Sequence, residues 1–224
     1  MQTATHLQIA PAETLRGYGS PAKRAPEAVA LGSTQVFAKD EEIFAEGDRA
    51  GFFYKVVCGA VRTSKLLSDG RRQIDAFHLP GDIFGIEAGE EHRFSAEAVG
   101  GATVIAYRRC SLDDLAARDG TFSRQVVDAM LRSLERAQNH MLLLGRKTAM
   151  EKIATFLLDL SARLGDDTIE LPMSRTDIAD HLGLTIETVS RSLTQLERKH
   201  IIEVPAHRRS IVLCDKAALH RLDA

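Results

Sequence analysis

The chain has 224 residues, 44% of them hydrophobic, and its 29 Lys and Arg stand against 31 Asp and Glu for a formal net charge of -2. That length suits two small domains, and near-neutrality excludes a protein that holds nucleic acid by overall charge, so any DNA affinity has to come from local basic residues. No run approaches the roughly 18 to 20 apolar residues of a membrane span and the N-terminus lacks the order of a secretory signal, which predicts a cytoplasmic protein with no membrane partner.

Residues 1–30 carry Pro11, Pro21, Pro26 and the run Gly17 to Ser20 without any apolar period, and are expected to form a flexible N-terminal extension. From residue 31 to 120 the pattern changes to short β-type runs such as FFYKVVC, RQIDAFHL and ATVIAYR. Gly47, Gly59, Gly70 and Gly81 punctuate them, with Asp48, Asp69 and Asp82 beside three of the four. That is turn chemistry at the spacing of successive antiparallel strands, and it predicts a small β-roll. A helical turn is expected around Leu112 to Arg118.

A long helix follows, placed at residues 121–146. Val127, Met130, Leu134, Ala137, Met141 and Leu144 step by three and four, the a/d seam of a coiled coil, and predict a two-fold homodimer. Leu131, Leu142 and Leu143 add a second stripe, expected to pack on the helix's own domain. After a hinge from Arg146 to Ala149, residues Glu151 to Leu164 form an amphipathic helix with a buried stripe of Ile153, Phe156, Leu157, Leu160 and Leu164, closed by Gly165.

The most informative stretch is Ser174 to Lys199, SRTDIADHLGLTIETVSRSLTQLERK. Ser174 with Asp177 three residues on is a helix start, and Gly183 a left-handed stop. Thr185 caps a second helix on which Val189, Leu193 and Leu196 face inward. Two helices so joined form a helix-turn-helix. On the outward side of the second, Glu187 and Arg191 sit four apart with Ser190 beside them. Arginine pairs with the O6 and N7 of guanine and glutamate accepts from the N4 of cytosine, each good bidentate contact discriminating by about 1 to 3 kcal/mol. The same two residues also make an ordinary i, i+4 ion pair on a solvated helix, worth only a few tenths of a kcal/mol. Beyond this helix, IIEV and SIVLC flank PAHRR as a hairpin, and a short helix starts at Asp215.

The segment GLTIETVSR resembles the recognition element of the CRP/FNR superfamily of bacterial transcription regulators, in its FixK-like branch, and the likeness extends from about Phe37 to Leu222. The resemblance implies an α+β chain: a cyclic-nucleotide-binding-type antiparallel β-roll, a long dimerisation helix, and a winged helix-turn-helix over residues 147–224. It implies base contacts from Glu187, Ser190 and Arg191 to a TTGA-type half-site, to which Ile186 adds a thymine methyl contact. Phosphate contacts are expected from Ser174, Thr176, Thr188, His207, Arg208 and Arg209. It further implies a dimer on palindromic double-stranded DNA, acting with RNA polymerase as an activator of low-oxygen respiration or nitrogen-fixation genes, with turns such as Ser68 to Arg72 meeting the polymerase.

Residues 80 to 89, PGDIFGIEAG, match the family's phosphate-cassette region. The cAMP-binding members carry an adjacent Arg-Ser or Arg-Thr dipeptide, whereas here Phe94 separates Arg93 from Ser95. Glu87 and Arg93 are therefore expected to form a rim ion pair, and no cofactor or cyclic nucleotide is expected. Cys58, Cys110 and Cys214 are far apart, so neither a disulfide framework nor a metal site is predicted, and an iron-sulfur oxygen sensor, which needs an N-terminal cysteine cluster, is disfavoured. Cys214 is expected to be a small buried hydrophobe on the wing strand. His78, His92 and His140 read as structural or solvated. With no nucleophile-base pair and no Walker sequence, an enzyme is not expected. The rival is an effector-gated regulator of the same fold, binding a small molecule in the β-roll.

Overall fold

The computed structural model describes residues 32–109, 120–205 and 210–223, with the side chain of Phe122 excepted. The predicted N-terminal extension, the helical turn at Leu112 to Arg118, Cys110, and His207, Arg208 and Arg209 lie outside the described residues.

Eight strands build the roll: β1 (Gly32–Phe37), β2 (Glu42–Phe44), β3 (Phe52–Cys58), β4 (Val61–Leu66), β5 (Arg72–His78), β6 (Ile83–Phe84), β7 (Ser95–Ala98) and β8 (Ala102–Arg108). They form two four-stranded antiparallel sheets, ordered β1-β8-β3-β6 and β2-β7-β4-β5. On β8, Ala102, Val104 and Ala106 are buried in alternation with half-buried neighbours, as expected of a strand with one face on a core. The stretch from Val36 to Phe44 is split between two strands, because Asp40 takes a left-handed φ of 59° and turns the chain between β1 and β2. Each of the four punctuating glycines has a positive φ. At Gly59 no other residue fits, since a Cβ would stand 2.1 Å from the Gly101 carbonyl oxygen.

Helix α1 (Gly120–Arg146) packs Val126 and Ala129 against Phe53 and Ile83 of the roll, and Leu143 joins a second, larger core. The stripe expected to face its own domain is thereby corrected. Leu143 is buried, but Leu131 and Leu142 are exposed, because the inward face is set by Val126 and Ala129 rather than by the largest side chains. Val127, Met130, Leu134 and Met141 are exposed as well, and Leu144 is half-buried.

The break after Arg146 is two residues long. Thr148 caps α2 (Ala149–Leu164) through a reciprocal capping box with Glu151, and Gly165 ends it at φ 68°. Leu164, expected in the buried stripe, is 40% exposed, since the chain turns away at Gly165. The strand β9 (Thr168–Glu170) leads to α3 (Arg175–Leu182) and α4 (Ile186–Arg198), and β10 (Ile202–Glu203), β11 (Ser210–Leu213) and α5 (Lys216–Asp223) follow. β11 lies between β10 and β9 in a three-stranded sheet. The second core gathers Ile153, Leu157 and Leu160 of α2, Ile178 and Leu182 of α3, and Val189, Leu193 and Leu196 of α4. Ile74, Phe77 and Leu79 of the roll belong to the same cluster, so roll and helix-turn-helix share packing. No helix among the described residues is long and apolar enough to cross a membrane.

Candidate nucleic-acid interface

The interface is built on two capped helices. Ser174 accepts from the Asp177 amide at 3.1 Å while its own amide donates to Asp177 Oδ2 at 3.0 Å, so α3 starts in a closed reciprocal cap. Gly183 stops the helix at φ 61°. Thr185, in extended backbone, accepts from the Thr188 amide at 3.2 Å and sets the first turn of α4. Buried Ala179 lets the helices approach, and Val189, Leu193 and Leu196 turn inward. The opposite side of α4 is consequently free.

On that side Ile186, Glu187 and Arg191 are exposed and Ser190 is half-buried. Glu187 is hydrogen-bonded at the helix start, to its own backbone N–H and to Thr185, which with the Arg191 charge holds its carboxyl below the ordinary value. It stays ionised and acceptor-only at neutral pH. Arg175, at the start of α3, donates to Ser190 Oγ at 3.4 Å and brings a cation beside this outward side. Nothing in the spacing of the sequence marks that contact. Ser174 and Thr176 are exposed and Thr188 is half-buried, with its hydroxyl 3.1 Å from that of Thr185. These groups lie at the amino ends of two helices, where backbone N–H groups and the helix dipole favour anions.

The cassette region holds a cavity of about 240 Å³ lined by Phe44, Thr63, His78, Glu87, Arg93 and Met130 among others. Arg93 Nε donates to Glu87 Oε2 at 3.0 Å and the Arg93 amide to Glu87 Oε1 at 3.2 Å. The Arg93 side chain is 77% exposed and that of Glu87 8%. This is a rim pair, in which each charge answers the other.

Between β5, α1, α2 and α3 lies a larger cavity of about 380 Å³, lined in part by His78, Arg136, His140, Phe156, Arg163 and His181. The His140 and His181 rings stack at 4.1 Å. Burial pushes His181 down to about 3, helped by His140, and His78 down to about 4. These histidines are structural and neutral at pH 7. Cys214 is a correction: it is exposed, one residue past β11, because Ile211 and Leu213 take the inward positions of the strand. Residues 68–71 form an exposed turn, while Arg72 at the start of β5 is directed into the molecule and pairs with Asp177 and Asp180.

A Crp-like helix-turn-helix domain matches residues 151–222 and a cyclic nucleotide-binding domain residues 34–119. The chain belongs to the CRP/FNR family. This family member is 48% identical over 220 residues, 95% of its length, to the nitrogen fixation regulation protein FixK of Azorhizobium caulinodans, covering 88% of that protein. It is 43% identical to the transcriptional activatory protein AadR of Rhodopseudomonas palustris over 75% of this chain and 72% of AadR. The structure of FixK2 from Bradyrhizobium japonicum superposes with a TM-score of 0.81 at 50% identity, over 87% of this chain and 98% of that one. The CRP/FNR chain is thus a DNA-binding transcription regulator of activator type and not an enzyme, and its β-roll, long helix and helix-turn-helix follow the family fold.

Proposed function

We propose that this regulator is a homodimer that binds a TTGAT–ATCAA-type palindrome without cyclic nucleotide and activates transcription with RNA polymerase. The observation that carries the reading is the outward side of α4, where Ile186, Glu187 and Arg191 are exposed above a buried Val189, Leu193 and Leu196. Arg191 and Glu187 would read G·C information, Ser190 would contact a base edge, and Ile186 a thymine methyl. Ser174, Thr176 and Thr188, with His207, Arg208 and Arg209 between β10 and β11, would hold phosphates and fix the register. A two-fold dimer through Val127, Met130, Leu134, Ala137, Met141 and Leu144 would set two such helices about one turn of DNA apart. The organisation into a roll at 31–120, a dimerisation helix at 121–146 and a DNA-binding part at 147–224 belongs to the same proposal. From the FixK relatives comes the proposed physiology, control of nitrogen fixation; the resemblance to the FixK-like branch adds low-oxygen respiration and the cytoplasm to the proposal. Asp69 and Arg71, ion-paired on the exposed turn, remain the candidates for polymerase contact.

Independence of cyclic nucleotide rests on the Arg93–Glu87 pair, which occupies the arginine that a phosphate would need. The nearby cavity of about 240 Å³ favours a second reading, in which a small molecule in the roll gates DNA binding. One experiment separates the two. Purified, ligand-free protein is titrated onto a duplex with both half-sites and onto a scrambled duplex at one stated salt concentration. Selective binding is expected; selectivity that appears only after adding a nucleotide or metabolite would give first place to the gated reading.

A further inference from the structure

β5 is an edge strand of the roll, and three consecutive residues at its start take hold of α3. Arg72 Nη2 donates to Asp177 Oδ1 at 2.6 Å and Arg72 Nε to Asp180 Oδ2 at 2.9 Å. Gln73 Nε2 donates to the His181 carbonyl at 3.2 Å, and the His181 ring Nδ1 lies 3.1 Å from the Ile74 carbonyl, to which it donates. Behind them buried Arg62 of β4 adds a contact of 3.4 Å to the same Asp177 Oδ1.

Asp177 is divided between two tasks. Its Oδ2 receives the Ser174 amide and hydroxyl and thereby starts α3, while its Oδ1 receives the guanidinium groups of the roll. The Asp177 side chain is 7% exposed. Burial raises its pKa, but the Ser174 hydrogen bonds and the two arginines outweigh that and keep it below the usual value. A buried carboxylate with such partners is geometrically demanding, since losing one partner leaves uncompensated charge. α4 must follow α3, because the two share Ile178, Leu182, Val189 and Leu193 in one packed core.

We propose that Arg72 is a positioning residue for DNA reading: through Asp177 and Asp180 it fixes the tilt of α3 and so the presentation of the reading face of α4. The clamped arrangement leaves Ile186, Glu187 and Arg191 exposed, and the proposal assigns DNA reading to it. The state of the roll then reaches DNA across this clamp as well as along α1 and α2. The inference rests on the DNA-binding reading above.

The test uses the full chain and four variants, Arg72→Gln, Arg72→Lys, Asp180→Asn and the Arg72→Gln, Asp180→Asn double, each checked for folding and active fraction. Affinity is measured for the half-site duplex, its single-base variants and the scrambled duplex. Folded Arg72→Gln is expected to bind the half-site duplex about tenfold more weakly, within the usual range of coupling between sites. Its base preference should be unaltered. Arg72→Lys should lie between it and wild type. Asp180→Asn should lose less, and combined with Arg72→Gln should add little. Affinity equal to or tighter than wild type in Arg72→Gln, or losses that simply add, would overturn the clamp. Wild-type protein failing to prefer the half-sites would instead refute the DNA-binding reading. Hydrogen exchange of the α3 amides judges the clamp without DNA: faster exchange is expected in Arg72→Gln, and unchanged exchange overturns it.

Discussion

Arg191 and Arg209 separate two kinds of contact that a basic side chain can make with DNA. Arg191, exposed on α4, is assigned to a base edge. Arg191→Ala is therefore expected to relax discrimination at one position of each half-site by about 1 to 3 kcal/mol, read from affinities for a panel of single-base duplexes. Arg209→Ala is expected to weaken all duplexes alike and to lower the salt slope by about one charge. An Arg191→Ala profile identical to wild type would defeat the base-reading assignment. The outward side of α4 was legible in the sequence because it rests on local rules: Thr185 as cap, Gly183 as stop and an apolar step of three and four. Arg72 was not, since its partner Asp177 lies 105 residues away and no periodicity links a strand edge to a helix start. It was read as an exposed turn residue for the same reason. The Arg175–Ser190 contact was silent too, because it joins two helices across a turn.

At the scale of elements, the long helix carries more exposed large apolar side chains than any other element among the described residues. Met141, Leu142 and Leu131 are at least 60% exposed, and Val127, Met130 and Leu134 about half. Water contact with six large apolar side chains on one helix is unfavourable by about 25 cal/mol per Å² of apolar surface, so a second copy of the helix is the expected cover. Leu134→Asp is expected to convert the dimer to monomer by light scattering and to lower half-site affinity steeply, while the roll stays folded. A dimer that persists with unaltered mass would remove the seam from the argument. The heptad steps were readable from the sequence. Which of the remaining apolar residues face the roll was not, because Val126 and Ala129 are small and Leu131 and Leu142 carry the stronger hydrophobic signal. The strands β6 and β7 were also missed, since two to four residues are too few to display an alternation.

For the whole molecule, the junction of roll and helix-turn-helix makes stability depend on pH. His181 and His78 are held neutral by burial, with pKa values of about 3 and about 4 against an ordinary 6.5. Between those values and 6.5 the unfolded chain binds more protons than the folded one, so stability rises with pH. The contribution is full above about pH 6.5 and is lost progressively as pH falls toward 4. The facing charges act both ways: Asp82 beside His78 and the Ile74 carbonyl on His181 favour the protonated rings, while Arg163 near both, Arg136 near His78 and the neighbouring His140, itself depressed by burial and Lys152, act with burial against them. Thermal unfolding is expected to shift to lower temperature between pH 7.5 and 5, at roughly 1.4 kcal/mol per pH unit for each histidine once its unfolded form is protonated. His181→Gln should flatten that dependence by about one proton, and an undiminished slope would locate the effect elsewhere.

The sheet that carries the hairpin has one more consequence. β11 pairs Ile211 with Ile169 of β9 on one side and Leu213 with Ile202 of β10 on the other. The backbone leaving β9 runs through α3 and α4 and returns to the same sheet, so the two reading helices form a loop of chain whose ends are stitched together. Such a closed loop has no free end that can swing. A tilt imposed at α3 is therefore expected to reach α4 and the strands β10 and β11 together, in the manner of a hand turning at the wrist rather than fingers moving one at a time, so that the proposed base and phosphate contacts would gain or lose their fit in the same motion.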